Sequence, residues 1–388
     1  NAALGQMVNF LGTLQNEWAG AQAFNNVDTY LAPFVRVDDL DYRRVKQAIQ
    51  KFVFNLNTTS RWGGQSPFTN LTFDLVPPKH IAKEAVIIGG SLQDTTYAEY
   101  TQEMEMINRA FLEVMLEGDH HGRIFSFPIP TYNVTPDFPW ESEVGRLLLE
   151  LTAKYGVPYF QNFINSDLKP EDVRSMCCRL QMDLRELRKR TGGLFGAGDL
   201  TGSIGVVTLN LPKLAYLAQG EEDFLDLVGE YAELARDSLE FKRKWIGDML
   251  ERNMFPFSRR YLTNGLKNHF STIGLVGGHE ACLNILGKGI ESEPGVRLMQ
   301  RMLDHLRTLT SRFQEETGNL FNLEATPAEG TSYRLAKIDK ELYADIQSSG
   351  SEVPYYTNST ALPVGATGDV FDALEHQDRL QQIGRAHV

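Results

Sequence analysis

A chain of 388 residues with 50 acidic against 38 basic side chains, a net charge of −12 and a pI near 5.2 lacks the cationic excess that a nucleic acid backbone calls for. Three cysteines in so long a chain exclude a disulfide framework and fit a reducing, cytoplasmic compartment. No apolar run approaches the ~20 residues of a membrane span, and the first residues carry neither a basic start nor an apolar signal core, so neither a spanning nor an exported protein is expected.

Leu4, Met7, Leu11, Leu14, Trp18 and Ala21 recur at helical spacing, which predicts a helix over 4–24 ending at Asn25-Asn26. The pattern repeats over 27–56, with Asp38, Asp39 and Asp41 near a helix start and Val45, Ile49, Phe52 and Val53 on one face. Trp18, Phe24, Tyr30 and Phe34 add an apolar surface that suits core packing or a subunit contact.

The stretch from Asn55 to Asp74 is rich in amides and hydroxyls. After Gly63-Gly64 it becomes a strand, Phe68 to Leu75, in which Asn70, Thr72 and Asp74 share one face while Leu71 and Phe73 share the other. A polar face on an α/β strand meets either a ligand or buried water, or else marks a solvated edge.

A helix over 96–117 carries Met104, Ile107, Phe111 and Met115 on one stripe and stops at Gly118. Asp119-His120-His121 reads as a polar turn, since a bare pair of histidines lacks a third metal ligand. Ile124 to Tyr132 is a strand, 141–155 a helix and Pro158 to Phe163 a strand.

Next comes a long connection that holds two of the three cysteines, Cys177 and Cys178, and then the Gly-rich Thr191 to Gly198. Adjacent Cα atoms lie ~3.8 Å apart, too close for an unstrained bridge, so the pair is either inert core or reactive thiol. Connections longer than ~12 to 15 residues inside domains are usually functional, which favours chemistry. The connection closes in a buried strand, Ile204 to Leu211.

A charged helix spans 220–251, and Arg259, Arg260, Lys267 and His269 read as solvated surface. His279-Glu280 opens as a zinc-protease motif does, but Leu283 stands where the second histidine is required, so metal hydrolysis is rejected; Cys282 is read as core. A helix over 292–315, a strand Leu320 to Glu324, and helices over 333–346 and from 369 complete the pattern. The polar loops 325–334 and 354–360 before those last helices are either phosphate sites or plain helix caps. The final residues, Ile383 to Val388, break the amphipathic pattern and match a common sequencing-adapter translation, so 383–388 is set aside as an artefact.

Six stretches in order resemble the anaerobic, class III ribonucleoside-triphosphate reductase family of glycyl radical enzymes. They are Ser60-Arg-Trp-Gly-Gly-Gln-Ser-Pro-Phe-Thr-Asn-Leu-Thr, Phe127-Pro-Ile-Pro-Thr, Arg174-Ser-Met-Cys-Cys-Arg-Leu, Thr201-Gly-Ser-Ile-Gly-Val-Val-Thr, Thr326-Pro-Ala-Glu-Gly-Thr-Ser-Tyr-Arg and Tyr356-Thr-Asn-Ser-Thr-Ala-Leu-Pro-Val. The resemblance implies an α/β fold, a ten-stranded barrel of two half-sheets with a central finger loop, of which 1–382 would be the catalytic domain, incomplete at both ends. It implies that Cys178, rather than Cys177, becomes a thiyl radical and abstracts the ribose 3′ hydrogen of a nucleoside triphosphate. Gln65, Asn70, Thr72, Glu329, Thr331, Asn358, Ser359 and Thr360 would line the nucleotide pocket.

The resemblance also implies nucleotide effectors, a radical SAM activating enzyme and a homodimer. The glycyl radical and a structural zinc site are expected beyond the end of this chain, and no metal is assigned to the residues present. Two positions depart from many relatives: Val76 stands where a second redox cysteine is common, and Ser203 where formate users carry Asn. The reductant, formate or a redoxin, is therefore open. The alternatives are another glycyl radical enzyme, of the pyruvate formate-lyase type, and a non-enzymatic nucleotide-binding or redox protein.

Overall fold

Alternation of apolar and polar residues in short β-branched and aromatic runs builds parallel strands here, and helical stripes cover one side of them. The computed structural model describes residues 2–59, 64–164, 173–175, 181–183, 201–262, 265–326 and 328–384. The chain divides into two units, Asn1–Ala197 and Gly198–Val388.

In the first unit β1 (Gln22–Phe24), β2 (Thr69–Phe73), β5 (Ile129–Val134) and β6 (Tyr159–Asn162) form a parallel sheet in the order β1-β2-β5-β6. β3 (Ala85–Ile88) and β4 (Ser91–Thr96) make a separate antiparallel hairpin. Leu71 and Phe73 of β2 and Tyr132 of β5 face a core closed by the helix Thr101–Glu117. Phe73 stacks on Tyr132 with ring centroids 5.1 Å apart and leans on Phe111 at 4.7 Å. Each such buried side chain contributes about 1.5–3 kcal/mol, so the predicted stripe Met104, Ile107, Phe111 and Met115 is what fixes this helix. It ends at Gly118, whose φ of 72° and whose approach to Arg123 O, 2.5 Å from where a Cβ would stand, both require glycine.

Two expectations change here. The first helix runs only from Ala2 to Leu14, not to residue 24. Gln15 Nε2 donates to Gly20 O at 2.8 Å and to Phe68 O at 3.1 Å, turning the chain so that Gln22 N donates to Phe68 O at 2.9 Å and β1 joins β2. The pattern over 27–56 resolves into helices Val27–Val37 and Tyr42–Leu56, the second capped by Asp41, whose carboxylate accepts from Arg44 N at 2.8 Å.

β7 (Val173–Ser175) and β8 (Gln181–Asp183) pair antiparallel, with Ser175 opposite Gln181. Cys177 and Cys178 fall between these strands and lie outside the described residues.

In the second unit β9 (Gly202–Asn210), β10 (His269–Val276) and β11 (Leu320–Glu324) form a parallel sheet in the order β11-β10-β9. Leu209, Ile273, Leu275, Phe321 and Leu323 enter a core with the helices Glu221–Glu251 and Glu293–Thr317. β9 is an edge strand with Val206 44% exposed, so it is not the fully buried strand the sequence suggests. His269 also leaves the expected solvated cluster, because β10 begins there and Arg243 closes over it. The Arg243 guanidinium donates to Leu266 O at 2.9 Å, His269 O at 2.7 Å and Ser271 Oγ at 2.9 Å. Burial, and next the Arg243 charge, push the His269 imidazole down to about 4.

The helix expected over 333–346 spans Glu329–Leu342 and starts after Ala328 at φ 42°. The last helix spans Val370–Gly384. The architecture is α/β, and among the described residues its parallel strands lie in sheets of four and three. No described helix is long and apolar enough to cross a membrane.

Candidate functional site

The residues opposite each core face carry the chemistry. In the first unit Asn70, Thr72, Thr131 and Asn133 alternate with the core residues Leu71, Phe73, Tyr132 and Val134, and the register sets Thr72 beside Thr131 and Asn133 beside Gln161, the one buried residue of β6. All five are buried. β2 lies inside the sheet, so its polar face is not a solvated edge. Asn70 Nδ2 donates to Thr131 Oγ1 at 3.2 Å and Thr72 Oγ1 to Asn25 Oδ1 at 3.1 Å. Asn70 Oδ1, Asn133 Oδ1 and Gln161 Nε2 have no hydrogen-bond partner among the described residues. Buried amides are rarely left so, and a row of them marks a face that meets a polar ligand or water.

Beyond β2 two buried carboxyls meet. Asp28 accepts from Asp74 N (3.0 Å), Leu75 N (2.9 Å) and Asn108 Nδ2 (2.8 Å). Asp74 accepts from Asn26 Nδ2 (2.9 Å), Thr29 Oγ1 (2.8 Å) and Asn133 Nδ2 (2.8 Å). Burial, and then the neighbouring Asp28 charge, raise Asp74 to about 7; burial likewise raises Asp28. This network anchors the amide of Asn133.

Gln65 does not share this face. It is exposed and lines a cleft of about 440 Å³ with Ala19, Asn57, Ser66, Phe68, Ser126 and Phe127.

In the second unit the face opposite the core holds Ser203, Thr272 and Asn322. Ser203 Oγ and Thr272 Oγ1 are 3.2 Å apart, and Asn322 is Thr272's register partner on β11. Asn322 is buried, and neither its Oδ1 nor its Nδ2 has a hydrogen-bond partner among the described residues. Gly274 lies on the same face, where a Cβ would run into Thr326 Oγ1 and come within 3.0 Å of Thr208 Oγ1.

The loop Thr357–Thr360 does not sit before the helix at 370, as expected from its place in the sequence. It lies on the N-terminus of the helix Gly278–Leu286, where Gly277 N donates to Thr357 O and Gly278 N to Ser359 O, both at 2.8 Å. Glu280, fully buried, holds the loop: its carboxylate accepts from Ser349 Oγ at 2.5 Å, Thr357 N at 3.0 Å and Thr357 Oγ1 at 2.9 Å. Ser359 and Thr360 are buried and Asn358 half-buried.

Glu329 and Thr331 sit in the first turn of their helix rather than in a loop, with Thr331 half-buried. That helix is tied to the other loop by buried Asp339, which accepts from Tyr356 OH at 2.9 Å and Asn210 Nδ2 at 2.6 Å. Thus Glu329, Thr331, Asn358, Ser359 and Thr360 belong to one connected region of the second unit, while Asn70 and Thr72 share the sheet face of the first.

Asn133, Gln161, Asn322, Glu280 and Asp339 were not among the residues expected from sequence. The signal for the first three is the alternation already visible at 68–75, repeated in Tyr132-Asn133-Val134, Phe160-Gln161 and Phe321-Asn322-Leu323. Cys282 is buried, as expected of a core residue, and its thiol is pushed up to about 12, first by burial. Among the described residues no group of His, Cys, Asp and Glu could hold a metal ion.

The family described as anaerobic ribonucleoside-triphosphate reductase matches residues 1–386. The chain is 25% identical over 411 residues to the anaerobic ribonucleoside-triphosphate reductase of Enterobacteria phage T4, covering 92% of this chain and 61% of the phage protein. It is 22% identical over 418 residues to the Haemophilus influenzae enzyme, covering 92% of this chain and 53% of that one. The chain therefore spans about half to three fifths of the length of these relatives. Among solved structures, the anaerobic ribonucleotide reductase of Thermotoga maritima with dATP bound in the specificity site has a TM-score of 0.77 at 19% identity, covering 100% of this chain and 65% of that one. The same enzyme with citrate in the active site has a TM-score of 0.76 at 20% identity, covering 99% and 69%. At such identities the likeness is one of fold.

Proposed function

This chain belongs to the anaerobic ribonucleoside-triphosphate reductase family, and from that premise we propose that it reduces ribonucleoside triphosphates to their 2′-deoxy forms as part of a longer protein. The observation that carries the reading is the pair of polar sheet faces, each with buried carboxamide atoms that have no partner among the described residues. They fit the half-sheets of a ten-stranded barrel with its inner wall turned to a polar substrate. Asn70 and Thr72 would serve the first face. Thr331 and the loop Asn358–Thr360, on the clamp made by Glu280 and Asp339, would serve the phosphates, with Glu329 in the same helical turn. Gln65 would act from its separate cleft.

Cys178 would do the radical chemistry. As a thiyl it takes the ribose 3′ hydrogen, forming S–H and leaving a carbon radical. The 2′ hydroxyl then departs as water after protonation, two electrons come from formate or a dithiol protein, and the hydrogen returns to C3′. The family's glycyl radical, held outside the residues present, would supply one-electron oxidation of the Cys178 thiol. A closed, water-poor wall protects such intermediates. None of the described residues is assigned to a metal, and the structural zinc, the radical SAM activating enzyme and a homodimer are carried over as family expectations. The Thermotoga maritima relative has been solved in complex with dATP and CTP, in line with nucleotide substrates and effectors for this chain.

Titrating the chain with ribonucleoside triphosphates and, separately, with pyruvate tests the reading. Saturable binding of a triphosphate and none of pyruvate is expected. Tight pyruvate binding with no nucleotide binding would transfer the chain to the acyl-cleaving branch.

A further inference from the structure

We infer that Asn322 contacts the substrate directly and that its carboxamide takes the ribose vicinal hydroxyls of a nucleoside triphosphate. The inference rests on the nucleotide reading above and adds a residue to it. Asn322 is 3% exposed, and both of its side-chain polar atoms lack a partner among the described residues. An unmade hydrogen bond on a buried group costs about 1–3 kcal/mol, and a leucine would fill the same space without that cost. A carboxamide retained in such a place implies a partner from outside the described residues.

Its position says which part of a ligand it meets. Phe321 and Leu323 point into the core, so Asn322 lies on the opposite face, beside the linked hydroxyls of Thr272 and Ser203. Thr272 precedes Val276 by four residues on β10, about 13 Å along the strand, and Val276 bridges to Asn358 in the candidate phosphate loop. The amide is thus displaced down the sheet from the loop, in the range that separates a terminal phosphate from the sugar. Its chemistry agrees. A phosphate needs donors only and would be repelled by Oδ1, whereas two neighbouring hydroxyls can each donate and accept, matching a group with N–H and C=O side by side.

The test is calorimetric titration of the 388-residue chain and its Asn322→Leu variant with the four ribonucleoside triphosphates and their 2′-deoxy counterparts, beside the thermal midpoint of each free protein. For the ribonucleotide that binds best, Asn322→Leu is expected to weaken both forms, since the 2′-deoxy form keeps its 3′ hydroxyl, but to weaken the ribonucleotide about tenfold more, so that the preference for ribo over deoxy falls about tenfold. The free variant melts at the same temperature or higher. An unchanged ribo/deoxy preference overturns the inference and assigns the amide to a base contact or to water. Equal loss of both affinities, or a marked fall in the midpoint, also overturns it by making Asn322 part of the free fold. If the unaltered chain binds no triphosphate, the nucleotide reading itself fails, and that is seen before any variant is compared.

Discussion

In the complete gene product, Cys178→Ala is expected to lower deoxynucleotide formation by a thousandfold or more, on the order of what removing a covalent catalytic group costs other enzymes, while a glycyl radical signal still forms. In the proposed mechanism the hydrogen-abstracting atom is the Cys178 sulfur, and alanine supplies none. Cys177→Ala should be milder, because the Met-Xaa-Cys-Arg resemblance carries the thiyl role to Cys178 rather than to Cys177. Product assays and electron paramagnetic resonance on the two variants check the expectation. Substantial turnover by Cys178→Ala refutes the assignment.

The second large effect is on stability. Asp28→Ala removes the acceptor for Asp74 N, Leu75 N and Asn108 Nδ2; Asn108 Nδ2 keeps Met104 O at 2.9 Å, while the backbone N–H groups of buried Asp74 and half-buried Leu75 are left unmet. A loss of about 2–4 kcal/mol is expected, read from urea denaturation. The same network makes stability depend on pH. Asp74, at about 7 when folded against 3.8 in its ordinary state, is raised by burial and by Asp28. Across that window the folded chain holds a proton that the unfolded chain releases, so this contribution is full below pH 3.8 and is lost as pH rises toward 7.

His269 has the opposite sign. Its folded value of about 4 lies below 6.5, so its contribution is lost as pH falls from 6.5 to 4. The unaltered chain sums these with its other shifted groups, buried Asp28 among them. Asp74→Asn removes the Asp74 titration alone, so the stability of the unaltered chain relative to this variant should fall by about 2 kcal/mol between about pH 5 and pH 7. An identical difference at the two pH values would show that Asp74 does not titrate there.

Much of this architecture is local and therefore visible in sequence. The strand Leu320 to Glu324, the capping Asp41, the stripe from Met104 to Met115 and the buried Cys282 each follow from spacing over a few residues. So does the division of Phe68 to Leu75 into polar and apolar faces, which the sheet turns into a buried amide row. What sequence hides is set by distant partners. The first helix stops at Leu14 because Gln15 finds Phe68, and His269, at the start of β10, is buried because Arg243 of the helix Glu221–Glu251 reaches its carbonyl. Glu280 suggests a failed zinc motif until its partners Ser349 and Thr357, 69 and 77 residues on, are seen. Asn322 sits in a strand of five residues whose alternation is plain, but nothing local says that both sides of β11 are covered.

Anaerobic turnover measures the central claim most directly. The complete gene product, its activating enzyme, a ribonucleoside triphosphate and formate or a dithiol protein should yield the corresponding 2′-deoxynucleoside triphosphate. A glycyl radical signal accompanied by cleavage of pyruvate, with no deoxynucleotide formed from any of the four triphosphates, would contradict it.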